Sequence, residues 1–325
     1  MARGKKASPI DRDLFKKSRT LNSKLFKLEK QLDKVLQSTV LAPNRTASYW
    51  RGVKREVRSI YNDMEKVYNQ WTINNLPTAY QKSIYLEERK IRRTVKAYNK
   101  TAKKTATEFI KGQYSRGVTS ALVDDSIRDF TRASTLGEKN VNRYLSEARK
   151  TTNNLWLAGE DITGSNMINA MKANPANKKL IKNMLNSQYF QVIDKNGNPR
   201  NYTNRYYAEM VQRVKWHEAQ SAAVRGVAAN YNTDLIRVSA HNTTTEICQQ
   251  YEGMVMSLSG KSKEFPVADQ VPPYHVNCIH FITVVFEETL KATGTEKGFI
   301  EFGKGQTSKP PFPDTFVPVT ERAAA

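Results

Sequence analysis

Residues 14–35 read Leu14-Phe15-Lys16-Lys17-Ser18-Arg19-Thr20-Leu21-Asn22-Ser23-Lys24-Leu25-Phe26-Lys27-Leu28-Glu29-Lys30-Gln31-Leu32-Asp33-Lys34-Val35. Leu14, Leu21, Leu25, Leu28, Leu32 and Val35 recur in steps of four and three once the pattern starts, a heptad seam broken at Ser18. That rhythm sets the fold class, because it asks for a long helix with one apolar stripe. After Ala42-Pro43-Asn44, a second run of Trp50, Val53, Val57, Ile60, Met64, Val67 and Trp71 keeps the same spacing. Two such helices joined by a short connection are expected to fold back as an antiparallel hairpin. Trp50, Tyr61, Tyr68 and Trp71 lie at helical spacing and are read as core rather than as platforms for stacked bases.

Leu76-Pro77 is expected to end that hairpin. A third long helix is predicted over Thr78 to Tyr114, its polar face carrying Lys82, Arg89, Lys90, Arg92, Arg93, Lys96, Lys100, Lys103 and Lys104. Shorter helices are predicted near 119–134, 138–157 and 176–187. Near Tyr189 the pattern changes: Tyr189 to Ile193 is strand-like, and Asp194-Lys195-Asn196-Gly197-Asn198 supplies an Asn-Gly hairpin turn. Thr203 to Asn230 returns to helix, and strands are predicted over Leu235–His241, Met254–Leu258 and Phe281–Phe286. The last 37 residues are Gly-rich and then Pro-rich, so an extended arm without helix is expected, anchored by Phe299, Ile300, Phe302, Phe312 and Phe316. The expected fold is therefore α+β and predominantly α-helical. Its segments are a basic long-helix region over 1–118, short helices over 119–188, a small mixed domain over 189–288 and a tail over 289–325.

The formal charge of the 325 residues is +21, and residues 1–120 hold 28 Lys and Arg against 10 Asp and Glu. Such a field draws polyanions, of which nucleic acid is the commonest, although a solvated helix face kept soluble by like charge reads equally well. No zinc-finger helix, basic zipper or Gly-rich phosphate loop appears, so DNA contact through Arg89, Lys90, Arg92, Arg93, Lys96, Lys100, Lys103 and Lys104 is expected to address the backbone. Met1 to Lys6 is basic without an apolar stretch behind it, and no run approaches the roughly 18 apolar residues of a membrane span. A protein made and kept in the cytoplasm is expected, its two cysteines being free thiols or metal ligands rather than a bridge.

All four histidines and both cysteines lie between His217 and His280. Cys248, His275, Cys278 and His280 make a two-Cys, two-His set of the kind that tetrahedral zinc accepts, and Pro272-Pro273 is placed to hold His275 beside Cys278. The plainer reading is that His275 caps a turn and Cys278 is a small buried hydrophobe. His241 is a reserve ligand, and His217-Glu218 reads as a satisfied helical pair with no nucleophile at a fixed spacing. His275, Asn277 and His280 also admit a metal-dependent nuclease of the His-Asn-His type. That fold needs a helix after the Asn, where Phe281-Ile282-Thr283-Val284-Val285-Phe286 argues strand.

Two stretches together carry a resemblance: Tyr206-Tyr207-Ala208-Glu209-Met210-Val211-Gln212-Arg213 after the Asn-Gly hairpin, and Cys248, Tyr251-Glu252-Gly253 and Pro272-Pro273-Tyr274-His275-Val276-Asn277-Cys278 further on. Over about residues 185–288 the chain resembles the MuF-type phage head morphogenesis proteins, within them the phage minor capsid protein 2 family. The resemblance implies a non-enzymatic, minor component of the tailed-phage virion, inside the capsid near the portal vertex. It implies portal and other head proteins as partners, a part in head assembly and, in some members, contact with genomic DNA or exit with it, and it involves no membrane. Many relatives have Cys-x-x-Cys where this chain has Cys248-Gln249-Gln250-Tyr251, and Cys-x-Cys where it has Cys278-Ile279-His280, so a zinc set here has to run through His275 and His280.

Overall fold

The computed structural model describes residues 9–40, 46–94 and 104–293, apart from 195, 242, 244 and 263. The connection at 42–44, Lys96, Lys100, Lys103 and the arm from 294 onward, with its Phe and Ile anchors, lie outside the described residues. The chain is about 70% helical with a few small antiparallel sheets, an α+β fold dominated by helix. Among the described residues no helix is long and apolar enough to cross a membrane.

The seams become helices α1 (Pro9–Val40) and α2 (Ala47–Thr94). Leu14, Leu21, Leu25, Leu32 and Val35 of the first seam are buried, and so are Trp50, Val53, Val57, Ile60, Met64 and Trp71 of the second. Trp71 Nε1 donates to the Lys17 carbonyl at 3.2 Å, pairing the start of α1 with the middle of α2 as an antiparallel hairpin requires. All four aromatics read as core are buried.

Pro77 does not end the second helix; it sits inside α2. A helical proline costs about 3 kcal/mol through one lost hydrogen bond and a clash. The buried stripe continues through Leu76, Ala79, Tyr80 and Ile84, and Leu76 and Ile84 alone, at roughly 1.5–3 kcal/mol each, offset that cost. The helix expected over Thr78–Tyr114 is therefore the end of α2, followed by α3 (Ala106–Lys111) and the start of α4 (Gln113–Leu157). Thr105 begins α3 with a capping box, its hydroxyl accepting from Glu108 N while Glu108 reaches back to the Thr105 N–H.

The short helices expected at 119–134 and 138–157 are one, because Gly137 serves a close approach and not a break. A Cβ there would lie 1.9 Å from the Tyr189 carbonyl oxygen, to which Tyr61 also donates at 3.1 Å. Next come α5 (Gly164–Ala173), α6 (Pro175–Leu185), β1 (Phe190–Ile193) and β2 (Pro199–Tyr202), whose hairpin turns at Gly197 with φ of 76°. The rest is α7 (Asn204–Asn230), β3 (Leu235–Val238), α8 (Glu246–Gln249), β4 (Val255–Ser257), β5 (Ile282–Val285) and α9 (Glu287–Thr293). Residues 289–293, expected in the extended arm, are helical: Glu287 and Glu288 favour the first turn of α9, and the glycines begin only at Gly294.

Compactness groups the chain into two units that cut across its order. Unit 2 comprises Lys16–Trp71 and Ile127–Glu209. Its core is aromatic: Tyr68 stacks on Phe130 at 3.8 Å, Phe130 meets Phe190 at 5.0 Å, and Phe190 stacks on Tyr207 at 5.6 Å. Unit 1 comprises Met1–Phe15, Thr72–Ser126 and Met210–Ala325. It holds an antiparallel sheet of order β4-β3-β5. Strand β5 is an edge, and Glu87 of α2 closes it by accepting from Val284 N at 2.7 Å and from the Thr283 hydroxyl at 2.8 Å.

Candidate metal centre

The turn after α8 and the loop between β4 and β5 bring the soft ligands of unit 1 together. Cys248 lies on α8, and the next residues tighten into a turn that passes through Gly253 with φ of 75°. On the other side, Pro272 and Pro273 are joined by a cis bond, and Cys278 N donates to the His275 carbonyl at 2.9 Å, closing a turn that points both side chains one way. Ser221 of α7 donates to the Pro272 carbonyl, Arg213 of α7 donates to Asn277 Oδ1, and Tyr251 stacks on Tyr274 at 4.4 Å.

One ligand atom each from Cys248, His275 and Cys278 lies within 4.8 Å of the other two, and this group can hold a metal ion. Both thiols are buried and the imidazole is half-buried, with His275 Nε2 3.0 Å from Cys248 Sγ. His280, the fourth expected ligand, stands outside that mutual group. Its ring is fully buried, Nδ1 is 3.6 Å from Cys278 Sγ, and Nε2 meets Glu252 Oε1 at 2.8 Å. His241 pairs with Ser239 Oγ at 2.8 Å and sets its ring edge-on to His280.

Electrostatics shift these groups in different directions. Burial, reinforced by neighbouring Cys278, pushes the Cys248 thiol up to about 12. Burial alone would raise Cys278 as well, but the hydrogen bond with His280 and those of the Tyr274 and His280 backbone hold it below an ordinary thiol. Burial works against charge on His280 too, yet its bonds with Cys278 and Glu252 raise it above an ordinary imidazole. Against its own burial, Glu252 is held at about 2 by the Thr243 backbone and by His280. Glu252, His280 and Cys278 thus form a hydrogen-bonded chain in which each shift runs toward the charged form of its group. His275 is lowered by burial and by His280, which keeps it in the neutral form that ligates metals.

The donor set fits a divalent metal with one adjustment. His275 Nδ1 accepts from Asn277 N at 3.2 Å, so the free ring carries its proton on Nε2, facing Cys248. Ligation through Nε2 moves that proton and gives up one backbone hydrogen bond worth about 1 kcal/mol, small beside the roughly 10–16 kcal/mol of a structural zinc.

The sequence reading did not assign a role to Glu252. Its place in the Tyr251-Glu252-Gly253 stretch was visible, but its partner is 28 residues away and no spacing links them. His217 is buried on α7 and is not part of the mutual ligand group, while Glu218 pairs with Lys215 at 3.2 Å. Of the residues read as facing DNA, Arg89, Lys90, Arg92, Arg93 and Lys104 are exposed. Lys90 donates to Thr283 Oγ1, and Arg92 lies 3.7 Å from Glu88. The chain matches no protein-family model, no curated protein and no solved structure.

Proposed function

We propose that this chain is a minor capsid protein of a tailed-phage head, placed inside the capsid at the portal vertex in few copies, with a structural zinc at Cys248, His275 and Cys278. The observation that carries the reading is how the stretches resembling the head morphogenesis family tie to one another. Arg213, in the first stretch, bonds Asn277 in the last, 64 residues on. Cys248 meets His275, and Tyr251 stacks on Tyr274, so the middle stretch joins the last one as well. Side chains spent on holding three segments together suit a rigid structural core. His280 supports this too: it is fully buried between Cys278 and Glu252, and strand β5 follows it where a His-Asn-His nuclease needs a helix.

Zinc bound by Cys248, His275 and Cys278 would turn metal affinity into folding energy for the 245–285 region. His280 is the nearest further donor, and Glu252 on its other nitrogen fixes the ring as an outer carboxylate does at ligating histidines. The exposed cations of α2 give the same molecule a face for packaged DNA or an acidic head protein.

Purified proheads and virions are expected to contain the chain at low stoichiometry, and its absence from both would overturn the assignment. In a second assay, the purified chain is incubated with duplex and single-stranded DNA in zinc, magnesium or manganese. No cleavage is expected; cleavage that His275→Ala abolishes would make it a nuclease instead.

A further inference from the structure

Within unit 2, the first turns of α2 and the later turns of α4 enclose a groove of about 490 Å3. Arg51 and Lys54 stand on the α2 side, and Arg149 and Lys150 on the α4 side. Trp50 and Leu145 lie beneath them, 5% and 0% exposed. Among the described residues none of these four cations is paired with a carboxylate, and Arg149 lies over the Trp50 ring at 5.7 Å. The first turn of α2 carries no acidic residue, so although Thr46 Oγ1 accepts from Tyr49 N at 3.2 Å, no carboxylate within that turn offsets the positive end of a 48-residue helix. Unit 2 as a whole holds 26 Lys and Arg against 12 Asp and Glu, an excess of 14 out of the chain's 21.

We propose that this groove binds the phosphate backbone of duplex nucleic acid without reading sequence. Two walls of unpaired cations provide what phosphates need, and stacking on Trp50 fixes the Arg149 guanidinium in place before the ligand arrives. The buried Trp50 ring, with Arg149 over it, offers no open face for a base, which removes the stacking platform that single strands use. The inference goes beyond the capsid reading and stands on the groove alone, whatever particle the chain belongs to.

The test is binding of the full chain to a mixed-sequence DNA duplex across a salt series. Arg51, Lys54 and Lys150 are exposed, so their combined change to Gln leaves the core untouched. With three phosphates no longer neutralised, the logarithmic salt slope is expected to become shallower by roughly 2 to 3, and affinity at ~0.1 M salt to fall about 30-fold or more. A charge-keeping variant, Arg51→Lys with Lys54→Arg and Lys150→Arg, is expected to bind like wild type, and shuffling the duplex sequence is expected to change nothing. A folded Gln variant with unchanged affinity and slope overturns the proposal. So does a Gln variant that binds duplex normally but loses poly-glutamate, because the occupant is then an acidic protein. Failure here leaves the capsid assignment to the prohead measurement, so the two readings fail separately.

Discussion

Cys278 is one position where the chemistry of the whole site can be read from a single side chain. It touches His280, lies in the mutual group with Cys248 and His275, and closes the His275 turn through its own N–H. Protein purified without added metal is expected to contain about one zinc per chain. Cys278→Ser is expected to lose it and to melt well below wild type; no zinc in wild type, with Cys278→Ser folding normally, would leave Cys278 as a packing residue. A second residue-scale prediction concerns Glu29 of α1, buried beside Asp33 against the backbone N–H groups of Asn204 and Arg205. Burial, with Asp33 adding to it, raises its pKa from 4.5 to about 7. A raised folded-state value means that the protonated form is the one folding favours. Its contribution is complete below about pH 4.5 and is lost as pH rises through about 7. Urea unfolding is expected to show stability falling between pH 5 and 8 by about 2 kcal/mol, after allowing for solvent screening. Glu29→Gln keeps an acceptor for the two N–H groups and is expected to abolish that fall.

At the scale of elements, close approach and edge closure decide more than propensity does. Alanine is a better helix former than glycine by about 1 kcal/mol, so Gly137→Ala would stabilise an isolated α4. Here the new Cβ would meet the Tyr189 carbonyl oxygen at 1.9 Å, and α4 or the β1 approach has to shift. The variant is expected to lose about 3 kcal/mol or more in chemical denaturation, and any gain in stability would refute the close approach. Glu87 makes a parallel case on α2. Glu87→Ala strands the Val284 N–H and the Thr283 hydroxyl at the β5 edge and is expected to cost about 2 kcal/mol, with Glu87→Gln costing less because an acceptor remains. Equal losses in the two variants would show that the carboxylate's charge, rather than its acceptor, closes the edge.

For the molecule as a whole, soft ligands and positive charge are divided between the compact units. Cys248, His275, Cys278, His280 and Glu252 all belong to unit 1, whereas unit 2 carries two-thirds of the charge excess. After chelation, hydrogen exchange is expected to rise across β3, β5 and the 245–280 loops and to stay unchanged in the β1–β2 hairpin. An equal rise in both would mean that the units open together. By itself the sequence determined the elements: heptad spacing requires long helices, alternation and an Asn-Gly turn require the hairpin, and the clustering of Cys and His marks the site, because all of these are local or periodic properties of a chain. Only the tertiary structure decided that Pro77 and Gly137 lie within unbroken helices, since burial across Leu76–Ile84 and the approach of Tyr189 come from residues the local pattern does not contain. It likewise set His280 against Glu252 and placed Arg51 and Lys54 across a groove from Arg149 and Lys150. Those pairings join residues 28 and nearly 100 positions apart, and a distance in space between them exists only once the chain has packed.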